Sequence, residues 1–172
     1  MILLRDKILN TLAEEFSDLP DVADVTRVLV RVLLAVGLAA LIGYERETRG
    51  STAGLRTHMI LALGVALMVV AAQQSGMARE DVSRVIQGVF AGIGFLGAGA
   101  IVKQTNSDQV RGLTTAASLW TTAAVATACG LGTELTAVIG TVIALIILSV
   151  LLRIERRGRK TTANASSSTS EQ

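Results

Sequence analysis

The amino-acid sequence predicts an all-α protein, a polytopic membrane bundle of five transmembrane helices with its amino terminus outside the cytoplasm and its carboxyl terminus inside. Of its 172 residues, 51% are hydrophobic and only 17% are charged, against about 25% charged residues in ordinary soluble domains. The charges are also clustered, because five long segments contain none: 32–44, 57–78, 85–102, 113–133 and 135–152. A chain of this length is too short to bury all five in a soluble core, which argues against a soluble enzyme, and a chain this apolar is not disordered.

The first predicted element is an amphipathic helix within an amino-terminal segment, residues 1–27. Leu4, Ile8, Leu12 and Phe16 recur every four residues, with polar and charged residues between them. This spacing places the apolar residues on one helical face, and Pro20 ends the helix. We expect the helix to lie at the membrane interface. A helix that binds a protein partner fits the same pattern.

The transmembrane domain is predicted over residues 28–152, with spans at 28–44, 58–72, 86–102, 113–131 and 135–152. A hydrocarbon core of roughly 30 Å needs about 20 helical residues. The last two spans meet this length most easily, whereas the first two must use flanking residues. Arg31 lies near one end of the first span, where its long side chain can reach the interface.

The orientation follows from the distribution of lysine and arginine. Ten of these residues lie on the side that holds the 44–58 loop, the 103–112 loop and the carboxyl-terminal tail, and six lie on the other side. The more basic side is expected to be cytoplasmic. Residues 153–172 are basic and then polar and of low complexity, which predicts a disordered cytoplasmic tail.

Small residues in two spans predict close packing of helices, because lipid gives helices little hydrophobic reason to associate. These residues are Ala35, Ala39 and Gly43 in the first span, and Gly88, Gly92, Gly94, Gly97 and Gly99 in the third. Glycine at this density also loosens a helix. The alternative is therefore that the third span lines a substrate path.

The fourth span carries a stripe of hydroxyl side chains. Thr114, Ser118, Thr121 and Thr122 fall on one helical face, with Thr115 beside them. Hydrogen bonds between helices are the favoured role, and a substrate path is the alternative. Trp120 lies in the middle of this span, so its indole N–H is expected to need a buried partner.

Two loops on the predicted cytoplasmic side resemble each other. One ends in Gly54-Leu55-Arg56-Thr57 and the other in Arg111-Gly112-Leu113-Thr114-Thr115, each at the start of a span. Two helix amino termini, each with an arginine, could together bind an anion. Thr57 and Thr114 could equally be helix caps. The candidate functional residues are Glu45, Arg46, Arg56, Thr57, Arg111, Thr114 and Thr115.

The charged residues after the first span predict an ion pair. We expect Glu45 to pair with Arg56 across the hairpin, and a Mg²⁺ site at Glu45 and Glu47 is the alternative. His58 is expected to be an interfacial polar residue. No catalytic or phosphate-loop motif occurs in the sequence. The sequence therefore predicts no catalytic residue, metal ligand, cofactor or nucleic-acid partner.

Four motifs in order resemble the MgtC/SapB family of bacterial inner-membrane proteins: ALIGYERETRG, AGLRTHMILALGVAL, SRVIQGVFAGIGFLGAGAI and VRGLTTAASLWTTAAVATACGLG. The resemblance covers residues 28–152 and implies a multi-pass helical bundle in the inner membrane. It places the following residues at motif positions without assigning their roles: Glu45, Arg46, Gly54, Arg56, Thr57, Gly94, Gly97, Gly99, Arg111, Gly112, Thr114 and Thr115.

The resemblance also implies a function in adaptation to low Mg²⁺ and acid stress, and in the virulence of pathogens. It implies a regulator of membrane partners, such as ATP synthase or a P-type ATPase, and not an enzyme. A transporter or channel for Mg²⁺, protons or phosphate is the alternative, and a homo-oligomer is a further expectation. Some family members carry an ACT-like domain after the last span, and the sequence is expected to be a short form without it.

Overall fold

The computed structural model describes residues 2–15, 21–103 and 110–149 of the chain. Within them, the chain forms six α-helices, which confirms the all-α class, and two strands of two residues each. The helices are α1 (Ile2–Glu15), α2 (Val22–Thr48), α3 (Leu55–Gln74), α4 (Arg79–Ala100), α5 (Leu113–Leu131) and α6 (Glu134–Ser149). The antiparallel strands β1 (Val102–Lys103) and β2 (Val110–Arg111) pair between α4 and α5.

Helices α2 to α6 overlap the five predicted spans. Three of them, α2, α3 and α4, are long and apolar enough to cross a membrane, with 27, 20 and 22 residues. The described part of α6 is shorter, and α5, with 19 residues that include threonine and serine, is not among the three. The count of five spans and the orientation therefore stay predictions.

Helices α3 and α5 form the centre of the described bundle, because each packs against the other and against both α2 and α4. The core consists mostly of small apolar residues, including Ala39, Ala62, Ala66 and Ala126. Large apolar side chains such as Phe95, which is 82% exposed, point outward instead. Small residues inside and large apolar residues outside are the arrangement expected of helices that pack within lipid.

Helices α2 and α3 approach each other closely at Gly43. A Cβ atom added there would lie 2.9 Å from the Cα of Leu55 and 3.0 Å from the Cβ of His58. Ala35 and Ala39, on the same helix, are fully buried. Gly97 of α4 contacts α5 at ordinary distance, with its added Cβ 3.6 Å from the Cβ of Ala116. These positions agree with the packing expected of small residues.

The packing expectation is wrong within the described residues at Gly88, Gly92, Gly94 and Gly99, where no atom lies within 4 Å of an added Cβ. Helices α3 and α4 diverge and leave a groove of about 980 Å³, which Gly88 and Gly92 line together with Gly64 of α3. The spacing of glycines along α4 thus follows an open surface and not a helix contact.

Arg31 joins four helices at one end of the bundle, which we call the Arg31 end. Its Nη1 donates hydrogen bonds to Oε1 of Gln73 at 2.8 Å and to the carbonyl oxygen of Gly130 at 3.3 Å. Its Nε lies 3.9 Å from Oε1 of Glu134, the first residue of α6. The side chain expected to reach the interface is therefore turned between helices, where it contacts polar groups of α3, α5 and α6.

Helix α1 forms over Ile2–Glu15, as the amphipathic pattern predicts. Leu4, Ile8 and Leu12 are each about half exposed or more. This row leaves an apolar face that the described residues do not cover. The rest of the predicted helix, at residues 16–20, and the predicted tail at 153–172 lie outside the described residues.

Candidate functional site

The two similar loops meet at the end of the bundle opposite the Arg31 end. Together they enclose a cavity of about 550 Å³ between the α2–α3 turn and the start of α5. We call it the arginine cavity, and its polar lining comes from Arg46, Arg49, Ser51, Arg111, Thr114 and Thr115. The structure thus brings together four of the seven candidate residues, and adds Arg49 and Ser51, which the sequence pattern did not single out.

Two charged residues at the end of α2 are buried. Arg46 is 6% exposed and Glu45 is 9% exposed. Nη1 of Arg46 lies 3.6 Å from Oε2 of Glu45, and Nε of Arg49 donates to Oε1 of Glu45 at 3.2 Å. The buried Nε of Arg46 and Oε2 of Glu45 have no hydrogen-bond partner. Such unsatisfied buried atoms are costly and rare in native proteins.

The predicted ion pair between Glu45 and Arg56 is wrong. Arg49 directly follows the last residue of α2, four residues after Glu45, so it reaches the carboxylate without crossing the hairpin. Arg56 is exposed and faces the groove between α3 and α4. Among the described residues, no group of three histidine, cysteine, aspartate or glutamate side chains could hold a metal ion.

Glu47 supplies a negative charge to the amino terminus of α3. Its Oε2 accepts a hydrogen bond from the backbone N–H of Leu55 at 2.8 Å, and Gly54 allows the carboxylate this close because it has no side chain. A carboxylate in this position is favoured by the helix dipole. The cap residue is Gly54, so Thr57 lies inside the first turn and is not a cap.

Helix α5 begins differently, at Gly112, without a side-chain cap. Gly112 has φ +94°, which favours glycine, and a Cβ there would collide with the carbonyl oxygen of Ala100. Thr114 is exposed in the first turn and is not a cap either. The hydroxyl oxygens of Thr115 and Ser51 lie 3.0 Å apart, which ties the α2–α3 turn to α5.

His58 is fully buried between α3 and α5, so its expected interfacial position is wrong. Its Nδ1 lies 2.8 Å from the carbonyl oxygen of Gly54, and its Nε2 lies 3.3 Å from the hydroxyl of Ser118. The residue is enclosed because Gly43 of α2 lies against it on one side and Ser118 of α5 on the other. In the sequence, the hydroxyl stripe that contains Ser118 was the feature that could have indicated the contact between His58 and α5.

The hydroxyl stripe forms fewer contacts between helices than expected. The hydroxyls of Ser118, Thr121 and Thr122 donate to backbone carbonyls of α5 itself, at 2.8–2.9 Å. Trp120 is 45% exposed and stacks on Phe90 of α4, with ring centroids 4.9 Å apart. The indole therefore lies partly at the surface, against α4, and not in the buried setting that was expected to require a partner for its N–H.

The sequence is similar to several known proteins. It is 42% identical to protein SrpB of Synechococcus elongatus over 137 residues, which cover 73% of this chain and 75% of SrpB. It is 38% identical to protein MgtC of Salmonella typhimurium over 125 residues, 73% of this chain and 52% of MgtC. It is 36% identical to YhiD of Escherichia coli K12 over 137 residues, which cover 75% of this chain and 62% of YhiD. The name of YhiD provisionally describes a magnesium transporter.

The chain therefore spans about half of the Salmonella protein but three quarters of SrpB. No solved structure matches the chain. The sequence profile of the MgtC family matches residues 32–157, which include the arginine cavity and helices α3 to α6. The resemblance seen in the four motifs is thus confirmed, and the chain belongs to the MgtC family.

Proposed function

We propose that the chain is a multi-pass protein of the bacterial inner membrane with five membrane-spanning helices, its amino terminus outside and its carboxyl terminus in the cytoplasm. The central place of α5 supports its inclusion, because a helix enclosed by other helices needs less apolar surface. The orientation is supported by the basic residues at 153–160, which follow α6 in the sequence, and by the last described turn of α6, which lies beside Leu113 and Thr114 at the start of α5.

Within this membrane, we propose that the protein is a regulator in magnesium homeostasis that acts on other membrane proteins, and neither an enzyme nor a transporter. One observation carries the choice against transport. Between the Arg31 end and the arginine cavity, the described helices contain no aspartate, glutamate, lysine or arginine, and closely packed alanines fill their centre. Ion transport paths ordinarily place such charged groups at membrane depth.

The membrane partner is a further part of the proposal. The family resemblance suggests ATP synthase or a P-type ATPase, and the lipid bilayer is the other surface that the helices contact. The name of YhiD, which describes a magnesium transporter, keeps transport as the competing function. Both functions connect the chain to magnesium, and they differ in whether an ion crosses the bilayer.

Growth and flux measurements test the proposal together. A deletion strain of the source bacterium should grow poorly in low Mg²⁺, and the chain should restore its growth. Purified protein in proteoliposomes should then give no flux of Mg²⁺, protons or phosphate above that of empty liposomes. Affinity capture in mild detergent should recover a membrane protein. Flux well above the empty liposomes would contradict the regulatory function, and so would repeated capture of no partner.

A further inference from the structure

We propose that the arginine cavity binds a phosphate group. The first argument is the buried guanidinium of Arg46, which lines the cavity and whose Nε has no hydrogen-bond partner. Only 8% of this side chain is exposed, so water does not readily replace the missing partner. An anionic oxygen in the cavity would contact the part of this guanidinium that lines it and offset the buried positive charge, and charge-assisted hydrogen bonds are among the stronger ones in proteins.

The balance of charge in the cavity also favours an anion. Arg46, Arg49 and Arg111 contribute three positive charges to its lining. The carboxylate of Glu45 contacts two of these arginines and offsets one charge. Glu47, the other nearby acid, is held by the backbone of Leu55 at the start of α3. The lining therefore keeps an excess of positive charge.

The amino terminus of α5 adds a third element. It opens on the cavity, with Gly112, Leu113 and Thr114 in the lining, and no cap side chain satisfies its first N–H groups. Such free N–H groups at the positive end of a helix dipole bind phosphate well. Helix α3, by contrast, has the carboxylate of Glu47 at the same position. The amino terminus of α3 thus already has a carboxylate partner, whereas the first N–H groups of α5 have no side-chain acceptor.

The shape of the lining favours phosphate over a simple halide. Arginines approach from the end of α2, from the α2–α3 turn and from β2, so donors surround the cavity from several directions. The bond between Ser51 and Thr115 uses one of their two hydroxyl protons, which leaves the other available to a ligand. A tetrahedral oxyanion with several acceptor oxygens matches this set. The ligand is either free phosphate or the phosphate of a lipid headgroup, since the cavity lies where the helices end.

Binding is tested on the purified full chain in a neutral detergent by isothermal titration calorimetry, at constant ionic strength set with sodium chloride. One arm uses inorganic phosphate, and the other uses dihexanoyl phosphatidic acid with dihexanoylglycerol as its control. We expect saturable binding in at least one arm. Replacing exposed Arg111 by glutamine (Arg111→Gln) should weaken this binding roughly tenfold, because one charge-assisted contact is lost.

Arg84→Gln is the matched control, because it removes one arginine that is exposed at the Arg31 end and lies outside the cavity. It should leave binding unchanged. Ser51→Ala should weaken binding less than Arg111→Gln, and Arg46→Gln is informative only if the variant stays monodisperse. Binding in one arm alone identifies the source of the phosphate. Saturation in neither arm overturns the proposal, as does an equal loss in Arg84→Gln and Arg111→Gln.

Discussion

Gly43 and Gly37 stand six residues apart on the same helix, yet the structure gives them different surroundings. An added Cβ at Gly43 would come within 2.9 Å of the backbone of Leu55, whereas nothing lies within 4 Å of one at Gly37. A backbone neighbour cannot move aside as the end of a flexible side chain can. At the residue scale, the short distance between α2 and α3 therefore depends on Gly43 having no Cβ.

Gly43→Ala should therefore lower stability, by about 1–3 kcal/mol for overpacking of this kind. Gly37→Ala should be neutral or slightly stabilising, because alanine favours a helix more than glycine does. The measurement is the apparent melting temperature of each purified variant in the same detergent. Equal melting temperatures for the two variants would contradict the close approach at Gly43.

Other residues show why sequence alone could not assign partners. Glu45 was recognised as a charged residue in need of a partner, but the arginine that donates to it lies four residues later, just after the end of α2, and not across the hairpin. His58 has the polarity of an interfacial residue, and only the position of α5 encloses it. Spacing identifies residues on a shared face, whereas the partner depends on how neighbouring helices approach.

At the scale of elements, the absence of charge located the helices well. The predicted fourth span at 113–131 coincides with α5, and the second and third overlap α3 and α4 within a few residues at most ends. Helix α2 exceeds its predicted span because it continues into the polar residues up to Thr48. The meeting of the two similar loops was also foreseen from their sequences, although the roles of their threonines as caps were not correct.

The glycines of α4 provide a prediction at this scale, because four of them face open space. The double variant Gly88→Ala, Gly92→Ala should keep or raise the melting temperature, since each alanine favours the helix by about 0.5–1 kcal/mol. Gly130→Ala is the contrasting variant, with its added Cβ only 2.8 Å from the Cβ of Val69, and should lower it. A marked loss of stability in the double variant would show that α4 packs closely at these positions after all.

At the scale of the whole molecule, the bundle has polar groups at both ends and an apolar centre. Helices of this kind alternate in direction, so the α2–α3 turn and the α3–α4 turn lie on opposite sides. The side that faces the cytoplasm depends on basic residues counted along the sequence, some of them outside the described residues. Orientation is therefore open to a direct chemical test.

Single cysteines in a Cys129→Ala background provide this test. Thr52→Cys lies in the α2–α3 turn and Ser75→Cys at the end of α3, and both native residues are exposed. A maleimide that cannot cross the inner membrane should label Ser75→Cys in intact spheroplasts. It should label Thr52→Cys only after the membrane is permeabilised. The reverse pattern would show the opposite orientation.

The contacts of Arg31 have a consequence for how the chain assembles as it is synthesised. In the proposed five-span topology, its bond to Gln73 becomes available once α2 and α3 have both entered the membrane, but Gly130 and Glu134 follow about sixty residues later in the sequence. The first hairpin therefore enters the bilayer with a partly satisfied cation. The α5–α6 turn then adds the contacts from Gly130 and Glu134. The last hairpin therefore packs onto the guanidinium of Arg31, which the first hairpin already holds through Gln73.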